Sequence, residues 1–190
     1  MALLKNNELG HYTYNDYLNW TEDEKYELID GQPYAMSPAP SRIHQEIIGE
    51  IFLQIGNYLR GRKCKVYVAP FDVVLIKQNE KEKDSKNVVQ PDITIVCDKE
   101  KLDDRGCKGS PDMVIEVVSP STASQDYVKK LNLYEQHEIK EYWIVNPKNS
   151  SIFVYKLDVN KQYSEVKVYN IKDRVEVGIF DNLSIDLSSI

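Results

Sequence analysis

The stretch Met113-Val114-Ile115-Glu116-Val117-Val118 decides the fold. Its apolar residues leave no polar side for solvent, which predicts a strand covered on both faces inside a sheet rather than at its edge. The single acid, Glu116, shares a face with Val114 and Val118 by strand alternation. An ionised carboxylate buried there costs several kcal/mol unless a cation, a proton or a hydrogen-bond donor compensates it.

Upstream, the β-branched run Val88 to Cys97 predicts a second central strand, opened at Asp92 after Pro91. Asp92 lies on one face with Thr94 and Val96. If the two strands pair, Asp92 and Glu116 meet at one end of the sheet. Carboxylates that close repel each other, and a hard divalent cation such as Mg²⁺ relieves the repulsion. The ordinary reading of either acid is a buried group satisfied by backbone donors or an arginine.

Downstream, Ser121 or Thr122 caps a helix reaching about His137. Asp126, Lys130 and Tyr134 recur at i, i+4 and i+8 along it, while Tyr127, Leu131 and Tyr134 form its core stripe. On a helical wheel Lys130 falls about 60° from Tyr127 and about 40° from Tyr134, at the edge of the buried face. It therefore reaches back toward the carboxylates, whereas Lys129 points to solvent. The ordinary reading of Lys130 is an ion pair with Asp126, worth a few tenths of a kcal/mol.

The rest of the chain frames this centre. Thr13 to Glu24 reads as a short helix with a capping box from Thr13 and Asp16. Tyr26–Asp30, turned at Asp30-Gly31, and Pro33–Met36 read as a hairpin. Residues 41–63 carry the strongest helical period, with Ser41 as N-cap and Ile43, Ile47, Ile48, Ile51, Phe52, Ile55, Tyr58 and Leu59 on one stripe. Lys65–Lys77 reads as β structure bent at Pro70. Gln78–Asn87 reads as a charged, mobile loop, and Glu141–Asn146 as a strand. Residues 152–157, 163–169 and 175–180 alternate like an antiparallel meander closing the sheet. The order predicts an α/β architecture, a mixed sheet with flanking helices, as a single domain over residues 1–190.

At 190 residues the chain is long enough for a substantial core, burying roughly 70% of its unfolded surface. Its 42% hydrophobic and 28% charged content fits a globular protein and excludes a disordered one. The three cysteines, Cys64, Cys97 and Cys107, are odd in number and form no CxxC, which argues against a disulfide framework or zinc knuckle and for a reducing compartment. MALLKNNELG lacks the apolar run of a signal peptide, and no stretch approaches the ~18 apolar residues of a membrane span. A cytoplasmic protein is expected. The formal charge of −6 argues against a surface that binds nucleic acid all over.

Together, Tyr26-Glu27-Leu28-Ile29-Asp30-Gly31, Met36-Ser37-Pro38, His44-Gln45, Gln90-Pro91-Asp92, Ile115 to Thr122, the Asp126/Lys130/Tyr134 spacing and Glu141-Tyr142-Trp143-Ile144-Val145 resemble one family. It is the Uma-type restriction endonuclease family, domain of unknown function 820, within the PD-(D/E)XK nuclease superfamily. The resemblance runs in motifs from about Tyr12 to Val145. It implies a core of helix, three strands, helix and strand, here with an N-terminal helix-hairpin and a C-terminal antiparallel extension.

The resemblance makes Asp92 the Asp of the PD motif and Glu116 the acid of (D/E)XK. The chain departs from the superfamily at Val118, where the lysine is expected; Lys130 matches this family's helical lysine. The function implied is Mg²⁺- or Mn²⁺-dependent hydrolysis of DNA phosphodiester bonds, by a homodimer and with no membrane partner. Asp92, Glu116 and the carbonyl of Val117 would hold the metal, and Lys130 would orient water or stabilise the transition state. Glu27, His44, Gln45, Asp126 and Tyr134 would surround them. The ordinary readings are a solvated strand acid for Glu27 and a cap or packing residue for His44. Arg60, Arg62, Lys63 and Lys65 form the densest basic patch and are the expected DNA contacts. Two other readings compete. One is a nuclease-fold module that binds nucleic acid or assembles but no longer cuts, favoured by Val118. The other is a carboxylate pair for glycoside hydrolysis, disfavoured because Trp20 and Trp143 lie in a helix and a buried strand rather than beside the acids.

Overall fold

The computed structural model describes residues 11–20, 25–36, 40–119 and 123–190. In chain order the elements are α1 (Tyr14–Tyr17), β1 (Tyr26–Ile29), β2 (Gln32–Ala35), α2 (Arg42–Leu59), β3 (Lys65–Val68), β4 (Asp72–Val74), β5 (Val88–Val89), β6 (Ile93–Val96), β7 (Gly106–Lys108) and β8 (Met113–Val117). A π-helical segment (Gln125–Lys130) then continues as α3 (Leu131–Gln136). β9 (Glu141–Asn146), β10 (Ser151–Lys156), β11 (Val166–Asn170), β12 (Arg174–Glu176) and β13 (Ser184–Asp186) complete it.

Two larger sheets organise the fold. The first has the order β11-β10-β9-β8-β6-β3 and the second β2-β1-β5-β4-β7. In the first, every neighbour is antiparallel except β8 and β9, so Glu116 lies opposite Ile144 on a parallel partner and β6 flanks it on the other side. Alternation divides the apolar residues cleanly. Ile93, Ile95, Ile115, Val117, Trp143 and Val145 pack with Ile47, Ile51 and Ile55 of α2. Val96, Val114, Val118 and Ile144 face the other way, toward Leu133 and Tyr134 of α3 and the second sheet. Glu116 belongs to this second face, as alternation requires.

The hairpin turns where expected, with Asp30 and Gly31 at φ 49° and 77°, the left-handed pair a two-residue turn needs. Helix α2 starts at its Ser41 cap, whose hydroxyl accepts from the His44 N–H at 3.3 Å. It stops at Leu59 rather than 63 because Arg60 turns extended and Gly61 takes φ 75°. Phe52 stays 39% exposed. At about 100° per residue its ring points some 80° away from the centre of the stripe.

Several elements differ from the expectation. Thr13 and Asp16 do close their box, with Asp16 Oδ2 accepting from the Thr13 N–H and hydroxyl, but α1 is one turn; residues 21–24 lie outside the described residues. The Ser121 and Thr122 caps and Ser37-Pro38 lie outside them too. Lys65–Lys77 is two strands in different sheets, broken at a cis Ala69–Pro70 bond. Val88–Cys97 is likewise split, with Gln90–Asp92 crossing between sheets. The loop at 78–87 is anchored, since the buried Ser85 hydroxyl donates to Leu75 O and Asn87 Oδ1 accepts from Asp30 N. In the tail β10 and β11 extend the sheet, but β12 turns away to pair with β13. Gln54 of α2 holds β13 through both Asp186 N and Asp186 O.

Cys64 and Cys97 form a disulfide, correcting the expectation drawn from cysteine number. Pairing of Lys65 with Val96 makes them the next rung of one ladder. With Cys64 and Cys97 bridged, cysteine usage no longer points to a reducing compartment. Among the described residues no helix is long and apolar enough to cross a membrane.

Candidate active site

The split at 90–92 is what builds the site. It brings Asp92 to the end of β6 beside the carboxyl end of β8, and the two acids are clasped through opposite backbones. The Val117 N–H donates to Asp92 Oδ2 at 2.7 Å, and the Asp92 N–H to Glu116 Oε2 at 3.4 Å. Asp92 sits at the mouth with a fifth of its side chain exposed, while Glu116 is 5% exposed.

Behind them lies a buried cluster of charge. Lys130 Nζ is 2.9 Å from both Glu116 Oε1 and Glu27 Oε1, and 3.7 Å from Asp126 Oδ1. Tyr134 donates its hydroxyl to Glu116 Oε1 at 2.9 Å, and the Gln90 N–H donates to Glu27 Oε1 at 2.8 Å. Glu27 is therefore a buried partner of Lys130 and not a solvated strand acid. The π-helical turn explains why Lys130 is central rather than marginal. Its wider i→i+5 winding carries Asp126 and Lys130 inward and leaves Tyr127 and Leu131 half-buried. Lys129 is exposed and donates to the Tyr34 hydroxyl.

His44 reaches in from the first turn of α2, its Nε2 3.4 Å from Asp92 Oδ2. Burial pushes its imidazole down, but Asp92 and the backbone of Val117 outweigh that and hold it above the ordinary histidine range. Burial likewise opposes charge on Lys130, and Glu116, Glu27 and Asp126 overcome it, keeping the amine protonated. Glu116 is pushed well up, by burial first and then by Asp126, Asp92 and Glu27, with Lys130 pulling against them. Four carboxylates thus share one lysine and one histidine. The site is short of positive charge.

Its donors suit a hard cation. Asp92, Glu116 and the Val117 carbonyl offer oxygen only, and among the described residues Glu116 Oε2 has just the long Asp92 N–H contact. Among the described residues no three His, Cys, Asp or Glu side chains converge as a ready cage. A cation held here takes the rest of its shell from backbone oxygen and water, as Mg²⁺ does.

The acids open into a cleft of roughly 1260 Å³. Exposed Gln45 lines its rim beside His44. Arg60, Arg62, Lys63 and Lys65 do not reach it: they lie beyond the far end of α2, about 27 Å along an 18-residue helix. Sequence reasoning passed over Lys25, Gln125 and Lys148, which do line the cleft. Lys25 carries a signal in hindsight, standing two residues before Glu27 on the same strand face; Lys148 carries none beyond its turn.

The comparisons agree with this architecture. A crystal structure titled a putative nuclease belonging to DUF820, from Anabaena variabilis, superposes with a TM-score of 0.73 over 93% of this chain and 97% of its own, at 20% identity. The chain is also 27% identical over 165 residues to the uncharacterized protein slr1290 of Synechocystis sp., covering 85% of this chain and 82% of that one. The fold is thus restriction-endonuclease-like, with α2, β3, β6, β8, α3 and β9 as its helix, three strands, helix and strand. Matched by the family model over residues 14–188, the chain belongs to the Uma2 family, described as "Putative restriction endonuclease".

Proposed function

We propose that this nuclease-family chain is a divalent-metal-dependent endonuclease that hydrolyses phosphodiester bonds of DNA. The meeting of Asp92, Glu116 and Lys130 in one cleft carries the reading. Asp92 and Glu116, with the Val117 carbonyl, would hold Mg²⁺ or Mn²⁺. The ion supplies charge to neutralise the phosphate and to acidify a water. Lys130 supplies a fixed positive charge, locked by Glu27 and Glu116, where charge develops on the phosphoryl oxygens. Tyr134 and Lys130 both occupy Glu116 Oε1, which fixes the orientation of that carboxylate and turns Oε2 toward Asp92. Asp126 holds Lys130 from its own helix, and His44 braces Asp92. Cutting both strands takes two such sites, so we propose a homodimer by analogy with nucleases of this fold.

The test is calorimetric titration of Mn²⁺ into wild type and Asp92→Ala at low salt, followed by cleavage assays on duplex DNA. Saturable binding is expected in wild type and not in Asp92→Ala. Metal-dependent cutting should disappear in both Asp92→Ala and Glu116→Ala while the proteins remain folded. Variants that cut as well as wild type would overturn the assignment. Metal binding without cutting would favour the second reading, a binding module that no longer cleaves, which Val118 in the motif's lysine position supports.

A further inference from the structure

Neither Lys130, engaged by three carboxylates, nor the Arg60–Lys65 patch, a helix length away, offers the cleft a cation for a polyanion. Two other lysines line it, from opposite parts of the chain: Lys25 and Lys148. Lys25 extends the hairpin ladder by one rung, its carbonyl accepting from Met36 N at 2.9 Å. Alternation puts its side chain on the Glu27 side of the strand, about 6.7 Å further toward solvent. Lys148 sits in the turn after β9, where Asn146 Oδ1 accepts from the N–H groups of Lys148 and Asn149 at 3.1 and 3.2 Å. The parallel pairing of β8 and β9 places that turn beside the end of β8, just past Glu116 and Val117. Both lysines are exposed, and neither forms an ion pair among the described residues.

Two exposed lysines, unpaired among the described residues, thus line an open cleft of roughly 1260 Å³ together with the carboxylates. Small-molecule pockets run about 300–1,000 Å³, so the space suits a segment of a polymer better than a compact metabolite. Resting on the nuclease reading above, we infer that Lys25 and Lys148 are phosphate-binding residues. They grip the DNA backbone on the two sides of the phosphate presented to Asp92 and Glu116. They also offset the excess negative charge of the floor, which would otherwise repel the substrate.

The experiment is binding of a labelled DNA duplex by fluorescence anisotropy in Ca²⁺, over a series of monovalent salt concentrations. Wild type, Lys25→Ala, Lys148→Ala, the double variant and Arg60→Ala/Lys63→Ala are compared, with melting temperature as the check on folding. Each phosphate contact with B-DNA contributes about 0.9 to the log–log salt slope, which is about eightfold in affinity at 0.1 M salt. Each single variant should bind about eightfold more weakly and lose about 0.9 of slope; the double variant should lose about 60-fold and about 1.8. The distal double variant should match wild type. Unchanged slopes for Lys25→Ala and Lys148→Ala overturn the inference while leaving the metal site and cutting assay as they stand. Wild type that binds no duplex at any salt overturns both this inference and the DNA reading beneath it.

Discussion

Replacing Lys130 with methionine keeps most of the side-chain volume and removes the charge that three buried carboxylates share. Glu27, Glu116 and Asp126 are each 7% exposed or less, and Lys130 Nζ lies between 2.9 and 3.7 Å from all of them. Removing one partner from a buried ion pair costs about 3–5 kcal/mol. In a chain of this size each kcal/mol moves the melting temperature by about 2–4 °C, so Lys130→Met should melt roughly 6–20 °C below wild type at neutral pH. Acidification supplies a second signature. Burial already raises the Glu116 carboxyl, and without Lys130 it rises further. A carboxyl whose folded pKa lies above its unfolded one destabilises the fold as pH climbs and costs nothing once both states are protonated. The gap between variant and wild type should therefore narrow as pH falls from about 7.5 toward about 4.5, near the ordinary glutamate range. Circular dichroism melts across that range measure it, with Lys129→Met as the exposed control, expected within about 1 kcal/mol of wild type because it loses only a surface contact with Tyr34. Equal melting of Lys130→Met and wild type at neutral pH, or a gap that widens in acid, would refute the account of Lys130 as the counter-charge of this cluster.

Glu141 is fully buried and accepts from Trp143 Nε1 at 2.7 Å and Ile179 N at 2.9 Å. Glu141→Ala leaves two donors unmatched, about 2–6 kcal/mol at 1–3 each; Glu141→Gln should lose less, and chemical denaturation followed by tryptophan fluorescence reads both. The Cys64–Cys97 bridge closes a sequence separation of 33, worth about 4 kcal/mol in the chain-entropy account, so reduction should lower the melting temperature markedly. Thiol labelling of the folded, unreduced protein should be slow, because Cys107 is buried and its thiol is pushed up to about 12. Labelling after reduction and unfolding should reach all three cysteines.

What could be read from sequence was whatever local periodicity controls. Alternation placed Glu116 on the face of Val114 and Val118, the Asp30-Gly31 pair marked its turn, and the Ile stripe drew α2 almost to its end. The acid pair was legible because Asp92 and Glu116 each stood at the wrong place for a charge. What failed depends on register and on winding. Cys64 and Cys97 become neighbours only once Lys65 is known to pair with Val96, and nothing local fixes that pairing. The breaks at Pro70 and at Gln90–Asp92 look like bends in continuous strands until two sheets must share them. The helical wheel put Lys130 at an edge because it assumes uniform winding, which the π turn violates. Charge density marks Arg60–Lys65, but not that a helix beginning at the acids carries this patch a helix length away from them.

The parallel pairing of β8 and β9 has a consequence for how such a protein changes over time. It lets the turn at 147–150 hang over the cleft while the acids below are held by β6, β8 and the helix behind them. That turn closes an antiparallel β9–β10 ladder whose register runs from Ser151–Asn146 to Lys156–Glu141 without it. Doubling the length of such a loop costs only about 0.6 kcal/mol. Insertions there can remodel what the cleft meets without touching the floor where the acids lie. The mouth of the cleft and its acidic floor are mounted on separable parts, so drift in one need not disturb the other.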